Sequence, residues 1–428
     1  MSEPIAESAL NAALNSMQWV SALSTRPSLE AAVNEVVSQV EHQLQGSPDL
    51  ALVFISSAFA SEFSRLVPLL QERIALPALI GCSGGGVVGV DAAGQVQEVE
   101  GKAALSLTLA HLPGVDVRPF HLSALDLPDL DSPPDAWTEL LGVSAQSRPQ
   151  FVLLASPTSP GISELLQGLD FAYPESVKVG GLAGVNALSG GSGLFCNQEF
   201  YQDGIVGVAL SGNIVLDTIV AQGCRPIGQS YRVAAAERNI LTKLEAQLES
   251  DAAPELHTPL EVLQSLFQEL SEPDRALAQQ ALFVGVAQSA FKQQLDQGDF
   301  LIRNLLGVDP KTGAIAVGDR IRPGQRIQFH LRDAAASATD LTSLLQRYQT
   351  TPGQGSSVGA LLFSCLGRGE GLYEQPNFDS ELFRQYLGPV PLSGFFCNGE
   401  IGPVGNTTFL HGYTSVFGIC RAANDRAD

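Results

Sequence analysis

Short unbroken apolar runs alternate along the chain with segments whose apolar residues recur every three or four positions. Leu29, Val33, Val36, Val37, Val40 and Leu44 share one face of a predicted helix that opens at Pro27-Ser28 and closes near Gly46-Ser47-Pro48. ALVFISS, Ala51 to Ser57, then reads as a buried strand, and a second helix runs from about Ser61 to Ile74. Pro77-Ala78-Leu79-Ile80 leads into the glycine-rich GCSGGGVVG of Gly81 to Gly89.

The same order recurs twice. FVLLASP from Phe151, a helix through Leu165, Leu166 and Leu169, and VKVGGLAGVN at Val177 to Asn186 form a second copy. ALLFSCLGRG from Ala360, a helix from Phe378 to Leu387, and VPLSGFFCNGE at Val390 to Glu400 form a third. Each is the size of a strand, helix, strand unit, and a crossover helix implies parallel pairing. Between the copies lie β-type segments, AALSLTLA, VDVRPFHL, GIVGVALSG and NIVLDTIVAQG.

A polar stretch from Glu237 to Leu270, carrying Pro254 and Pro259, reads as a helical passage to a second domain, followed by strands at Ala281 and Phe300 and a hairpin-rich run to Leu331. The first 27 residues, rich in Ala and Ser, read as partly mobile. These elements predict an α/β fold of mixed parallel and antiparallel sheets with covering helices, in two related domains at 48–232 and 233–420. A segment at 1–47 holds the first helix, and 421–428 is a tail. An echo, Phe195-Cys196-Asn197-Gln198-Glu199 against Phe396-Cys397-Asn398-Gly399-Glu400, supports kinship between the halves.

Composition narrows the class. Of 428 residues 45% are hydrophobic and 16% charged, enough apolar surface for a large core and the reverse of a disordered chain. A formal net charge of −21 excludes nucleic-acid binding driven by phosphate neutralisation. Six scattered cysteines without C-x-x-C spacing suggest neither a disulfide framework nor a zinc site. With no signal peptide and no apolar run long enough to span a bilayer, the expectation is a soluble cytoplasmic protein without membrane insertion.

Gly81-Cys82-Ser83-Gly84-Gly85 fits G-x-S-x-G with Ser83 as nucleophile, but that elbow needs a helix directly after the serine. The β-branched, glycine-rich residues that follow oppose one, and they weaken a dinucleotide reading of Gly84, Gly86 and Gly89 for the same reason. Ser364-Cys365-Leu366-Gly367-Arg368 puts a hydroxyl, a thiol and a guanidinium at a strand end, a set suited to holding an anion. The competing role for Arg368 is a salt bridge with Glu370, Glu374 or Glu400 that pins the turn. Cys82, Cys365 and Cys397 end apolar runs, where cysteine serves as core filling or as a nucleophile. Converging strand ends would bring Cys82, Ser83 and Gly84 to the cavity of Ser364, Cys365 and Arg368, with Asn398 and Glu400 at its rim and His411 beside it. Arg303, with Asn304 in FLIRN, is the reserve anion site, since an arginine leaving an apolar strand calls for an acidic partner or a ligand.

Taken together, these blocks resemble the FIST family of sensory modules. The first domain is carried by ALVFISS, IGCSGGGVVG, VGGLAGVN, GIVGVAL and Gly223-Cys224-Arg225-Pro226-Ile227-Gly228; the second by Gly298 to Asn304, Ser364 to Arg368 and Gly394 to Pro403. The resemblance implies non-catalytic binding of a small molecule, an amino acid or other small carboxylate. It also implies a stand-alone sensor that signals through a separate partner, because the chain leaves no room for the output domains of other members. No cofactor is expected; haem, which some relatives bind as nitric-oxide sensors, is the alternative. The competing class is a hydrolase-like or thiol enzyme using Ser83 or Cys365, and a third is a scaffold without a ligand.

Overall fold

Three six-stranded sheets built on one plan dominate the structure, a computed structural model that describes residues 16–184, 191–246, 255–288, 292, 295, 297–351 and 355–423. At the centre of each is a parallel pair: Leu50–Ser56 with Leu79–Gly84, Gln150–Ala155 with Lys178–Leu182, and Gly359–Cys365 with Leu392–Cys397. The crossover helices are Phe63–Gln71, Ile162–Ala172 and Phe378–Leu387. Two strands flank each pair on one side: Leu105–His111 and Gln18–Ser24, Ile205–Gly212 and Val115–Leu122, Ser415–Arg421 and Val215–Ala221.

On the other side each sheet is completed by a hairpin that belongs, in sequence, to another sheet. Gly86–Val90 and Val96–Glu100 follow the Leu79–Gly84 strand but pair beside Leu392–Cys397. Glu400–Val404 and Thr407–His411 follow Leu392–Cys397 but pair beside Lys178–Leu182. Leu194–Cys196 and Glu199–Tyr201 follow Lys178–Leu182 but pair beside Leu79–Gly84. The exchange is cyclic.

Glycine makes the common plan possible. Gly81, Gly180 and Gly394 are register partners of Val53, Leu153 and Leu362, and a Cβ on any of them would meet the partner's carbonyl oxygen at 2.1, 1.8 or 1.8 Å. Two residues beyond each glycine a carbonyl accepts a bond from the next copy. Gly184 N–H donates to Ser83 O (2.9 Å), Asn398 N–H to Leu182 O (3.1 Å) and Gly85 N–H to Phe396 O (3.1 Å), a closed triangle of backbone bonds. Around it a core including Trp19, Phe54, Leu154, Phe363 and Phe395 fills the space between sheets, with Phe54 stacked on Phe395. The helices cover the outer faces of the first two sheets.

These sheets form one compact unit of residues 1–220 and 343–428; residues 221–342 form the other. There Cys224–Glu237 pairs with Arg326–Arg332 along one edge and Ile240–Ala246 along the other. Leu282–Ala287, Phe300–Val308 and Ile315–Val317 complete the circuit, closing an antiparallel barrel of six strands. Its helix Pro259–Glu269 starts with proline in the first turn and a Thr258–Glu261 capping box. No helix among the described residues is long and apolar enough to cross a membrane.

Several expectations change. Within the segment read as partly mobile, Gln18–Ser24 is a buried strand, because it has Leu105–His111 as a partner; residues 1–15 lie outside the described residues, as do Val185, Asn186, Pro254 and most of the 421–428 tail. The helical passage of Glu237 to Leu270 holds the barrel strand Ile240–Ala246, and helix begins only at Pro259. Compactness divides the chain at 220 and 342 rather than near 232, since the third strand, helix, strand unit pairs with sheets whose other strands come from the first half. The echo joins unlike places: Cys196 to Glu199 closes a hairpin, whereas Cys397 and Glu400 lie in different sheets.

Candidate functional site

The strand ends converge on a buried polar cluster in the three-sheet unit. Arg368 follows the Gly359–Cys365 strand and has no exposed surface. Its Nε and Nη2 grip Asp379 at 2.9 and 3.0 Å, and Nη2 also donates to Tyr373 Oη at 2.5 Å. Asp379 lies in the first turn of helix Phe378–Leu387 and accepts from Ser415 Oγ at 2.5 Å, with Ser364 Oγ 3.3 Å from that hydroxyl. The ion-pair partner of Arg368 is thus Asp379 and not Glu370, Glu374 or Glu400, although Glu400 lies within electrostatic reach of it. Glu98, from the exchanged hairpin, accepts the Ser380 N–H at 2.7 Å, and Glu400, from the next hairpin, accepts the Thr414 N–H at 3.1 Å.

Burial sets the charge state of this cluster. It lifts the Glu98 carboxyl to about 8, with Asp379 adding repulsion, and it lifts Glu400 to about 8. Burial also acts on Asp379, yet the charge and hydrogen bonds of Arg368 hold that carboxyl below its ordinary range. At neutral pH one cation therefore faces one anion, with two largely protonated acids on either side. A guanidinium neutralised in this way is a poor anchor for a ligand carboxylate.

The remaining candidates take separate places. Ser83 is fully buried, its Oγ donating to Gly184 O at 3.1 Å and accepting the Gly193 N–H at 2.9 Å. Burial pushes the Cys82 and Cys397 thiols well up, with Glu400 reinforcing the effect at Cys397. Gly84 packs against Phe395, Asn398 is exposed and donates to Ala183 O, and His411 is buried with Nε2 3.0 Å from Gly402 O. Cys365 is half-buried and in register with Cys397. Arg303 and Asn304 belong to the barrel, where Arg303 Nε donates to Asp319 at 2.6 Å and Asn304 is exposed.

Open concavity lies elsewhere. In the barrel unit a groove of about 410 Å³ has Ile227, Val262, Leu266 and Phe329 as apolar lining and Gln229, Tyr231, Ser265 and Glu269 as polar lining. It forms where the Cys224–Glu237 strand loses register between Ile227 and Tyr231; Gly228, at φ +61°, lets the strand bulge, and a Cβ there would meet Leu266 Cδ1 at 2.8 Å. Among the described residues that line the groove one side chain is anionic, Glu269, and none is cationic. Gly228 within a β-type run was the available signal. A second, more open groove of about 630 Å³ in the three-sheet unit includes Phe120, Cys196, Glu199 and the stacked pair His121 and Tyr201. His121 Nε2 lies 3.4 Å from Asp203 O. Among the described residues no group of three or more His, Cys, Asp or Glu is placed to hold a metal ion.

Comparison with known proteins places these features in a family. The FIST N domain model matches residues 49–247 and the FIST C domain model residues 259–403. An uncharacterized protein of Mycobacterium tuberculosis is 32% identical over 394 residues, 92% of this chain and 97% of the relative. One of Mycobacterium bovis is 31% identical over 393 residues, 91% and 95% of the two chains. An F-box/LRR-repeat protein of Arabidopsis thaliana is 31% identical over 115 residues, 23% of this chain and 22% of the relative.

Proposed function

The chain belongs to the FIST family, and from that premise we propose that it is a sensory protein that binds a small amine-bearing ligand, amino acids included, in the barrel groove and signals through a partner. The observation that carries this reading is the groove at the Gly228 bulge, an apolar lining with hydrogen-bonding groups at its wall. Ile227, Val262, Leu266 and Phe329 would take an apolar body, whose burial is worth roughly 1.5–3 kcal/mol for a side chain the size of leucine. Glu269 would take an ammonium group, while Gln229, Tyr231 and Ser265 supply donors and acceptors. A ligand seated there touches both the bulged strand and helix Pro259–Glu269, so occupancy restrains one against the other.

The non-catalytic reading is supported by Ser83, whose hydroxyl is committed to two backbone groups, and by the Cys82 thiol, which burial keeps neutral. Three probes with one isobutyl body separate the head groups: 3-methylbutylamine, leucine and isovalerate. In a thermal-shift titration the amine and leucine should raise the melting temperature and isovalerate should not. Glu269→Gln should remove the amine response. A response to isovalerate alone, or one that survives Glu269→Gln unchanged, overturns the assignment.

A further inference from the structure

We propose that Cys365 and Cys397 form a hydroperoxide-sensing dithiol, in which Cys365 reacts first and Cys397 closes a cross-strand disulfide with it. The two are register partners on adjacent parallel strands. Neighbouring strands run about 4.7–4.9 Å apart, inside the ~4.4–6.8 Å Cα separation that a disulfide spans. Directly paired positions also send their side chains to the same face of a sheet.

Access distinguishes the members of the pair. Cys397 is fully buried, whereas Cys365 is half-buried at the end of its strand, next to exposed Leu366. Glu400, on the first strand of the exchanged hairpin, is the acidic neighbour of the Cys365 sulfur. Cys82, the third thiol within electrostatic reach of Cys397, has no exposed surface and lies on a strand of another sheet. An oxidant arriving from solvent therefore meets Cys365 first, and the neighbouring sulfur in register is Cys397.

The chemistry balances with a hydroperoxide as the oxidant. The Cys365 sulfur attacks the terminal peroxide oxygen; an S–O bond forms as the O–O bond breaks. The thiol proton passes to the departing alkoxide or hydroxide, which leaves as alcohol or water. The Cys397 sulfur then attacks Cys365, the S–S bond forms as the S–O bond breaks, and the released hydroxide takes the Cys397 proton and leaves as water. Two thiols lose two electrons and two protons, and one hydroperoxide is reduced. The product would fasten the parallel pair of the third sheet at the end where the exchanged hairpin begins.

The test uses the full chain, reduced and then treated with stoichiometric hydrogen peroxide, followed by intact mass measurement and peptide mapping without reductant. The expected result is the loss of two hydrogens, a linked peptide pair containing Cys365 and Cys397, and reversal by dithiothreitol. In Cys397→Ser, a cyclic 1,3-dione should label Cys365 as its sulfenic acid. Because the mapping is done on the unsubstituted protein, it does not depend on any variant folding. Absence of the linked pair, a link through Cys82 instead, or an unlabelled Cys365 in folded Cys397→Ser overturns the proposal.

Discussion

The strand-end cluster of the three-sheet unit and the groove of the barrel use similar residues to opposite ends. In the cluster Arg368, Asp379, Tyr373 and Ser415 turn their polar atoms toward one another, in a space closed to water. In the groove Gln229, Ser265 and Glu269 border open volume over an apolar lining. A charged residue at a glycine-rich strand end therefore does not by itself mark a ligand site. The more telling signal is a strand that loses register, because its neighbours cannot then fill the space beside it.

Removing the central cation separates the two regions most sharply. Arg368→Ala should lower unfolding stability by about 3–5 kcal/mol, measured in urea, because Asp379 is left as an unpaired buried charge. The response to 3-methylbutylamine should persist at temperatures where the variant is folded. A variant as stable as the parent would remove the distinction between the regions.

The next effect is one of pH. Glu98 and Glu400 bind protons more tightly folded than unfolded, so between about pH 4.5 and pH 8 the native state holds protons that the unfolded chain has released. Stability should fall as pH rises through that window, by a total on the order of a few kcal/mol. Asp379 has the opposite sign: its contribution is present at neutral pH and is lost as pH falls below 3.8 through its lower folded value. Melting temperatures across pH 5 to 8 should therefore decline, and Glu98→Gln should flatten the decline. Parallel curves for parent and variant would show that Glu98 is not held neutral.

Smaller effects belong to the barrel. Arg303→Ala removes a partly exposed pair with Asp319 and should cost no more than about 1 kcal/mol, leaving the amine response intact. Ser265 is exposed on the groove wall, so Ser265→Trp should change stability by less than about 0.5 kcal/mol in urea while abolishing the amine-induced shift. If the shift survives, the groove is not where the amine binds.

What was legible in the sequence follows from the range of the interactions. The three strand, helix, strand units show because unbroken runs such as ALLFSC and the periodic helix Phe378–Leu387 are local signals. The partner of Arg368 was missed because Asp379, in a first helical turn, reads as an ordinary N-terminal acid. Glu98 sits 282 residues before its hydrogen-bond partner Ser380, in a strand whose pattern does not say which sheet it joins. Barrel closure was hidden likewise, since it depends on one long strand, Cys224–Glu237, serving two neighbours at once.

The cyclic exchange of hairpins also bears on how the protein is made. As the chain leaves the ribosome, the first sheet is complete once Tyr201 has emerged, because its last strand is Glu199–Tyr201. The second still lacks Glu400–Val404 and Thr407–His411, and the Gly86–Glu100 hairpin has no sheet to join until the Leu392–Cys397 strand follows it. Open strand edges are templates for pairing with other chains. Nascent chains stalled before about residue 411 should thus bind holdase chaperones and aggregate more readily than chains that have passed it, although most of their helices and strands already exist.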